Sequence, residues 1–239
     1  MVDREALKEQ AADAAAKLIE SGMIVGLGTG STAHHLIEAI GRLAAQGLKV
    51  TVVPSSRATA ELAGSLGLEV VEEPDHAIDI AIDGADEIDP SLGLIKGGGG
   101  ALFREKLVAE AARRFIVIAD TSKLVERLGQ GPLPVEILPF MWRTTLARLG
   151  QLGLSAQLRS TALGPFVTDN GNLIADVTMA GGFSDAEALA GRLAGLCGVC
   201  EHGLFINLAT AALVAGPDGV KVMGSIDEYK PVVPFGPPT

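Results

Sequence analysis

The stretch MIVGLGTGSTAHHLI, residues 23–37, contains the parts from which the architecture of the chain follows. Met23–Leu27 is a short apolar run that predicts a buried strand, and the glycine-rich turn 28–30 follows it at once. From this point apolar side chains recur at helical spacing, and either Ser31 or Thr32 is suited to cap the helix. A strand, a tight glycine turn and a helix in this order are typical of an α/β fold.

The regions on either side repeat this alternation of strand and helix. An amphipathic helix precedes the stretch and is expected to stop at Gly22. The elements predicted after it are strand 48–53, helix 57–66, strands 68–71 and 78–82, a helix from residue 101 and strand 115–119. Apolar strands that alternate with helices imply a mostly parallel sheet covered by helices on both faces. Such sheets bind ligands at the carboxyl ends of their strands.

The order of elements changes beyond Pro132. The predictions there are strand 134–138, helix 140–150, strand 154–159, a hairpin that turns at Asn170-Gly171, helix 184–195 and strand 199–206. This order approximates the β-α-β-β-α-β unit of a ferredoxin-like domain. Strands within 211–223 are expected to return to the first sheet. We therefore expect a first domain from residues 1–131 and 207–239, with an inserted α+β domain at 132–206.

The composition is that of a folded protein without a nucleic-acid partner. Of 239 residues, 48% are apolar and 20% are charged, which is enough to bury a full core and argues against disorder. The net charge of −10 argues against binding to duplex nucleic acid, because such binders present basic faces. No apolar segment reaches the length of a secretory signal or a membrane span. We expect a cytoplasmic protein with no membrane contact.

Cys197 and Cys200 form a C-x-x-C pair, which is a spacing found in redox and metal motifs. A zinc site needs further cysteine or histidine ligands, and haem attachment needs a histidine where Glu201 stands. We therefore interpret the two cysteines as packed thiols without a role in chemistry.

The segment Gly28–Thr32 has the form of a phosphate-binding turn. Its glycines let an anion approach the backbone, while its hydroxyls and the N–H groups of the helix terminus supply donors. The run to Ala33 also fits the G-x-G-x-x-A pattern of dinucleotide sites. Such sites want an acidic residue at the end of the second strand, where this chain has Ser55 and Ser56. Phosphate binding is favoured, with a purely structural turn and a dinucleotide site as the alternatives.

A second candidate is the acidic cluster DGADEID, residues 83–89, at the end of an apolar strand. The small residues Gly84 and Ala85 separate two aspartates and keep both carboxylates near one cavity. Paired carboxylates such as Asp83 and Asp86 shift each other's pKa values and can divide acid and base work. A solvated turn and a site for a hard cation such as Mg²⁺ are the alternatives, because no histidine lies nearby to complete a transition-metal site.

The third candidate is KGGGGALFREK, residues 96–106. Four consecutive glycines cost backbone entropy and pack nothing, so they indicate close approach of the backbone to another group. Lys96 can offer positive charge to a developing oxyanion, and Glu105 falls on the first or second turn of the next helix. A phosphate cradle, two carboxylates, a lysine and a glutamate, with no Ser-His or Cys-His pair, suit proton abstraction next to a carbonyl.

Six motifs resemble the successive signatures of the type A ribose-5-phosphate isomerases. They are Gly28–Thr32, Asp83–Glu87, Lys96–Gly99, Arg104–Lys106, Ala119–Lys123 and Leu133–Glu136. The resemblance covers essentially the whole chain and implies a Rossmann-like domain, with a mostly parallel sheet and helices on both faces, and an inserted smaller domain. It further implies that ribose 5-phosphate and ribulose 5-phosphate interconvert through an enediol in the non-oxidative pentose phosphate pathway, with neither metal nor cofactor.

The same resemblance implies roles for individual residues and an assembly. Glu105 would be the proton-shuttling base, and Asp83 would serve ring opening and hydroxyl contacts. Lys96 and Asp86 would contact the reacting oxygens. The substrate-binding residues implied are Thr29, Gly30, Ser31, Thr32, Asp83, Gly84, Ala85, Asp86, Lys96, Gly97, Gly98, Gly99 and Lys123, with Lys8 as a weaker match at the phosphate. The family usually assembles as a homodimer or homotetramer.

Two other functions fit part of the pattern. An amino-sugar phosphate deaminase on a similar scaffold also opens a sugar and passes through an enediol. A non-catalytic sugar-phosphate sensor would share the cradle, but it should carry a DNA-binding segment, and this acidic chain shows none.

Overall fold

The computed structural model describes residues 3–232, and these form two compact units. Unit 1 comprises residues 3–84, 104–123 and 207–232, and unit 2 comprises residues 85–103 and 124–206. Among the helices in this described range, none has the length and apolar character needed to cross a membrane.

The helices and strands of residues 3–232 are numbered in chain order. The α-helices are α1 (Arg4–Ala16), α2 (Ser31–Ala44), α3 (Arg57–Ser65), α4 (Leu102–Ala111), α5 (Trp142–Gln151) and α6 (Ala186–Ala194), with a short 3-10 helix at Thr121–Lys123. The strands are β1 (Ile24–Leu27), β2 (Thr51–Pro54), β3 (Glu69–Val70), β4 (Ile78–Asp83), β5 (Glu87–Ile88), β6 (Leu94–Ile95), β7 (Ala112–Asp120), β8 (Leu133–Ile137), β9 (Ser155–Leu158), β10 (Ser160–Thr161), β11 (Gly164–Pro165), β12 (Leu173–Thr178), β13 (Val199–His202), β14 (Leu204–Phe205), β15 (Ala211–Gly216) and β16 (Gly219–Gly224).

Unit 1 is built on a seven-stranded sheet in the order β16-β15-β7-β4-β1-β2-β3. All neighbouring strands are parallel except β15 and β16, which are antiparallel. The predicted mostly parallel sheet is confirmed, as is the return of the chain to it after residue 206. The strand order reverses between β1 and β4, and open sheets of this kind form a ligand crevice at such a point.

Local sequence explains how the helices form and how closely they pack on this sheet. Asp3 begins α1, because its carboxylate accepts a hydrogen bond from the Glu5 N–H at 3.1 Å. Buried alanines on α1, among them Ala11 and Ala15, join the core against the sheet. A Cβ at Gly26 of β1 would lie 2.4 Å from a Val108 methyl carbon, so α4 approaches the strand backbone closely.

Unit 2 contains a four-stranded antiparallel sheet in the order β13-β8-β12-β9. The apolar side chains of β8 and β12 form a core with Leu149 of α5 and with Leu189 and Leu193 of α6. The element order β8-α5-β9-β12-α6-β13 confirms the predicted ferredoxin-like arrangement, into which the short β10–β11 hairpin is inserted.

The predicted strand 199–206 is wrong in one respect, because the chain breaks at Gly203 into β13 and β14. The Gly203 N–H donates to the Pro134 carbonyl at 2.8 Å, and its own carbonyl accepts from the Lys96 N–H at 2.9 Å. A Cβ at this position would lie 2.2 Å from the Lys96 carbonyl oxygen. The backbone therefore leaves one sheet here and joins the three-stranded sheet β14-β6-β5.

The predicted turn at Asn170-Gly171 is present, although only one arm of the hairpin is a full strand. Gly171 has a φ of +80°, and the Thr168 N–H donates to the Asn172 carbonyl at 2.9 Å. The incoming arm makes a single bridge, from Val167 to Leu173.

The compact units differ from the predicted domain division at residues 85–103 and 124–131, which lie in unit 2. The physical reason is strand pairing, since β5 and β6 pair with each other and with β14 rather than with the parallel sheet. The predicted end of the inserted domain at residue 206 coincides with the end of unit 2.

The last described residues lie along β7 and α4. The Lys230 N–H donates to the Arg113 carbonyl at 2.8 Å, and its ammonium donates to the Ala109 carbonyl in the last turn of α4 at 3.0 Å. Burial of this side chain lowers the pKa of Lys230 to about 8, against the opposing influence of Glu110.

Candidate active site

A buried carboxylate packs against the glycine-rich turn 28–30, which follows β1. Asp83, at the end of β4, accepts hydrogen bonds on Oδ1 from the Thr29 N–H at 3.1 Å and from the Gly84 N–H at 2.7 Å. A Cβ at Gly28 would lie 1.9 Å from that oxygen. Only glycine allows the turn to approach Asp83 so closely, which explains the first glycine of the motif.

Four hydroxyl groups, from the ends of β1 and β2 and from the first turn of α3, form a directed network of hydrogen bonds. Thr29 donates to Ser56 at 2.9 Å, Ser56 donates to Thr59 at 3.0 Å, and Thr59 donates to the Gly28 carbonyl at 2.9 Å. The hydroxyls of Thr29 and Ser55 are 2.9 Å apart. Because a hydroxyl has a single proton, and that of Thr29 goes to Ser56, Ser55 is the donor of this last pair. These neutral hydroxyls, together with the Asp83 carboxylate, hold the turn from inside.

The start of α2 differs from the prediction that Ser31 or Thr32 caps it. The capping position is Gly30, which has a φ of +108° and no side chain with which to cap the helix. The first helical hydrogen bond runs from the His34 N–H to the Gly30 carbonyl at 2.9 Å. The N–H groups of the first turn, including those of Ser31 and Thr32, therefore precede the helical ladder at the positive end of the helix dipole, as a phosphate site requires.

A second set of predicted residues lies in unit 2. The Asp86 carboxylate accepts a hydrogen bond from the Gly98 N–H at 2.8 Å, which ties it to the glycine-rich turn. Lys96 is 3% exposed, and its ammonium lies 5.5 Å from the centroid of the Phe205 ring. A buried ammonium of this kind stabilises negative charge more strongly than one in water.

Glu105 occupies the first turn of α4, as predicted, and is 4% exposed. Its carboxylate is therefore largely shielded from bulk water, as a base that removes a proton from carbon needs to be. Among the predicted catalytic residues, Asp83 and Glu105 belong to unit 1, whereas Asp86 and Lys96 belong to unit 2.

The two lysines predicted to bind substrate, Lys123 and Lys8, have different surroundings. Lys123 ends the 3-10 turn after β7, and this turn is fastened by Asp120, which accepts from the Ser122 N–H at 2.7 Å. Burial raises the pKa of Asp120 most strongly, but the hydrogen bonds from Ser122 and the charge of Lys123 together bring it below its usual value. Lys8 donates to the exposed Glu5 carboxylate at 2.6 Å, and this bond lowers the pKa of Glu5.

Possible metal ligands are dispersed. Across residues 3–232, no three His, Cys, Asp or Glu side chains are placed to hold a metal ion together. The absence of a metal from the mechanism stays a prediction.

Comparison with known proteins gives a consistent result. Residues 51–219 match the family model of ribose 5-phosphate isomerase A (phosphoriboisomerase A). The chain is 50% identical to ribose-5-phosphate isomerase A of Synechococcus sp. over 228 residues, 93% of this chain and 99% of the relative. The chain belongs to the ribose 5-phosphate isomerase A family.

Solved structures of the family share the fold. Ribose 5-phosphate isomerase A from Methanocaldococcus jannaschii is 40% identical, with a TM-score of 0.88 over 92% of this chain and 99% of that one. A D-ribose-5-phosphate isomerase in complex with phospho-erythronic acid is 37% identical, with a TM-score of 0.90 over 94% of this chain and 100% of that one. The α/β architecture of this chain is therefore that of the family.

Sequence reasoning missed four residues that hold the predicted groups in place. They are Ser55, Ser56, Thr59 and Arg159. A signal existed for Ser55 and Ser56, because they directly follow β2, which neighbours β1 in a parallel sheet. Arg159 lies in no motif that the sequence reasoning singled out.

The prediction that both cysteines are packed is wrong for Cys197, which is exposed because it lies in the turn after α6. Cys200 is half-buried, and burial followed by the negative charges of Glu136 and Glu201 raises the pKa of its thiol. A raised pKa makes this thiol a poorer nucleophile, which agrees with the absence of a proposed chemical role.

Proposed function

We propose that this protein interconverts D-ribose 5-phosphate and D-ribulose 5-phosphate by proton transfer through an enediolate, as a step of the non-oxidative pentose phosphate pathway. The observation that carries the proposal is membership of the isomerase family over nearly the whole chain. The residues in the candidate site fit this chemistry, because they supply acids, bases and an ammonium.

In this mechanism Glu105 removes the proton from carbon 2 of the open-chain aldose and returns it to carbon 1. A carbon acid next to a carbonyl is hard to deprotonate, so the base must be desolvated and correctly held. The burial of Glu105 in the first turn of α4 supports this assignment. Over the whole reaction carbon 2 is oxidised from an alcohol to a ketone and carbon 1 is reduced from an aldehyde to an alcohol, so the electrons balance within the sugar and no external oxidant or reductant is required.

The remaining acidic and basic residues act on oxygen. Asp83 assists ring opening and contacts hydroxyl groups, while Lys96 and Asp86 contact the oxygens of carbons 1 and 2. As the enediolate forms, negative charge develops on these oxygens. The buried ammonium of Lys96 stabilises that charge strongly, because little water is present to screen the interaction.

The phosphate would bind at the start of α2 and near the basic turn at Lys123. The uncapped N–H groups of Ser31 and Thr32 and the dipole of a 14-residue helix support this assignment. Lys8 would have to break its hydrogen bond to Glu5 before it could bind the phosphate, so we rank it below the other donors.

Phospho-erythronic acid, which is bound in one of the solved isomerase structures, resembles the proposed intermediate. Its planar carboxylate shares one negative charge between two oxygens, which correspond to the two oxygens of a cis-enediolate, and its phosphate corresponds to that of the sugar. We therefore expect the compound to bind this protein as a mimic of the intermediate.

We further propose that the protein works in the cytoplasm as a homodimer or homotetramer, without nucleic-acid or membrane partners. The family membership supports the assembly, and the net charge of −10 supports the absence of a nucleic-acid partner. Sedimentation of the purified protein measures the assembly directly.

The decisive experiment is incubation of the purified protein with ribose 5-phosphate in excess chelator, followed by detection of ketose. We expect turnover, with Glu105→Gln slower by about 10² to 10⁴ and substrate binding retained, since the substitution keeps shape and removes the base. Near wild-type turnover by Glu105→Gln would exclude it as the base. Ammonia released from an amino-sugar phosphate, with no ketose from ribose 5-phosphate, would identify a deaminase instead.

A further inference from the structure

Arg159, between β9 and β10, makes two kinds of contact in unit 2. On one side its guanidinium forms a two-pronged ion pair with Asp176 of β12, through Nε at 2.9 Å and Nη2 at 2.5 Å. The side chains of the pair are 16% and 26% exposed, so water only partly screens the interaction. The ion pair fixes the plane of the guanidinium.

The other side of the guanidinium faces the glycine-rich turn. Nη1 donates to the Gly97 carbonyl at 3.1 Å and to the Gly98 carbonyl at 2.9 Å. Both acceptors are backbone atoms of residues predicted to bind substrate. Arg159 itself has a backbone partner as well, since its N–H donates to the Ile174 carbonyl of β12 at 2.8 Å.

These bonds determine where the N–H groups of the turn point. In a trans peptide the N–H and C=O groups are coplanar and point in opposite directions. The Gly97 carbonyl faces Arg159, and the N–H of the same peptide, that of Gly98, is bound by Asp86 at 2.8 Å. The Gly98 carbonyl also faces Arg159, so the Gly99 N–H of that peptide points away from the guanidinium.

A third contact holds the same turn. The Phe166 ring lies 5.7 Å from the Arg159 guanidinium, and a Cβ at Gly100 would come within 2.4 Å of it. The ring therefore occupies the space beside the end of the turn.

We propose that Arg159 is a positioning residue that, through its bonds to the Gly97 and Gly98 carbonyls, aims the Gly99 N–H at an oxygen of the enediolate. This proposal rests on the proposed function for its chemistry, and on the hydrogen bonds of unit 2 for its geometry. The guanidinium acts on the substrate only through the backbone of the turn. A donor of this kind contributes more as charge develops on the oxygen than in the ground state.

The test compares the wild type with Arg159→Lys and Asp176→Asn. A lysine keeps the charge but offers one compact ammonium, which cannot bind both Asp176 oxygens and two carbonyls in fixed directions. Asp176→Asn removes the charge from the ion pair that fixes the plane of the guanidinium, so the bonds from Arg159 to the turn should lose part of their fixed direction. Three quantities are measured: kcat and KM with ribose 5-phosphate, the affinity for phospho-erythronic acid, and amide hydrogen exchange at residues 97–100.

For Arg159→Lys we expect kcat to fall about ten- to a hundredfold, because a misdirected donor loses part of what a deleted one loses. KM should change little, the affinity for phospho-erythronic acid should fall in parallel with kcat/KM, and exchange in the turn should accelerate. Asp176→Asn should move the same quantities less. A general loosening of the fold would not lower the affinity for phospho-erythronic acid while leaving KM for ribose 5-phosphate nearly unchanged.

Unchanged kcat and unchanged inhibitor affinity in folded Arg159→Lys would overturn the proposal. If that variant does not fold, Asp176→Asn decides, and wild-type values for all three quantities would overturn it equally. Failure of the proposed function has a different signature, since the wild type itself would then neither isomerise ribose 5-phosphate nor bind phospho-erythronic acid. In that case the exchange measurement still decides whether Arg159 holds the turn.

Discussion

The turn at residues 28–30 and the turn at residues 97–100 are both rich in glycine, yet different forces hold them. The first is held from inside by the hydroxyl chain that ends on the Gly28 carbonyl and by Asp83, which accepts the Thr29 N–H. The second is held by the guanidinium of Arg159, which binds two of its carbonyls, and by the Asp86 carboxylate, which accepts the Gly98 N–H. A glycine motif therefore does not specify how its turn is stabilised, and the supporting residues must be found separately.

The difference has a functional reason in the proposed mechanism. A phosphate carries its charge before and after reaction, so the turn at 28–30 needs a shape that does not change. The turn at 97–100 faces oxygens whose charge appears during reaction, so its N–H groups need correct direction at that moment. A network of hydroxyls beside the buried Asp83 suits the first task, and a fixed guanidinium suits the second.

The largest effect should come from adding one methyl group to each turn. In Gly28→Ala the new Cβ collides with Asp83, which is buried and bound by two N–H groups, so we expect a loss of about 3 kcal/mol or more in the free energy of unfolding. In Gly100→Ala the collision is with the Phe166 ring, which is half-buried and can move. The cost there should be about 1 to 2 kcal/mol, mainly from the positive φ. Urea unfolding measures both, and equal losses would contradict the contrast.

Breaking the hydroxyl chain should have the next largest effect. Thr59→Val keeps the shape but leaves the Gly28 carbonyl and the Ser56 hydroxyl without their partner, at a cost of about 1 to 3 kcal/mol. Thr51→Val is the matched control, since its hydroxyl bonds to the exposed Glu69 carboxylate and its loss should cost less than about 0.5 kcal/mol. Similar losses in the two variants would show that the chain does not support the turn.

The loss of unfolding free energy should depend on salt for a variant at the second turn and not for a variant at the first. Asp176→Asn should cost about 1 to 2 kcal/mol at low ionic strength, and this cost should shrink in high salt because the pair is partly exposed. The cost of Thr59→Val should not change, since no charge is removed. The measurement is urea unfolding of both variants and the wild type at several salt concentrations, and parallel salt dependence would refute the assignment of neutral and charged supports.

The smallest effect is expected outside both turns. Replacing Cys197 and Cys200 together by serine should leave kcat and KM unchanged, because one thiol is exposed and the pKa of the other is raised. The free energy of unfolding should fall by less than about 1 kcal/mol, chiefly from the half-buried Cys200. Loss of activity in a folded double variant would give the cysteines a role that the present mechanism lacks.

Much of the fold was predictable because the main strands are apolar and the helices amphipathic. The strand at Ile78–Asp83 and the helix at Ser31–Ala44 were both expected from such patterns. The two-residue strands at Glu87–Ile88 and Leu94–Ile95 have too few residues to show a period, and they were missed along with the unit boundary that they create.

The candidate site was predictable where a local motif carries the chemistry and unpredictable where distant residues meet. Glu105 and Asp83 stand in recognisable local patterns. The bonds of Arg159 join residues 17 and about 60 positions apart, which no local pattern reports. The cap of α2 was mispredicted because hydroxyl residues usually cap helices, whereas here Gly30 takes that position with a φ of +108°.

The contact between Lys230 and the last turn of α4 has a consequence for engineering. The helix that bears Glu105 and the segment that ends at Lys230 are far apart in the chain but share a hydrogen bond of 3.0 Å to the Ala109 carbonyl. For a split-protein reporter or a circular permutant, the two belong to one part and should be kept on the same side of any cut. A fragment that contains α4 but lacks residues 225–230 would begin with its helix unfastened at the end opposite Glu105.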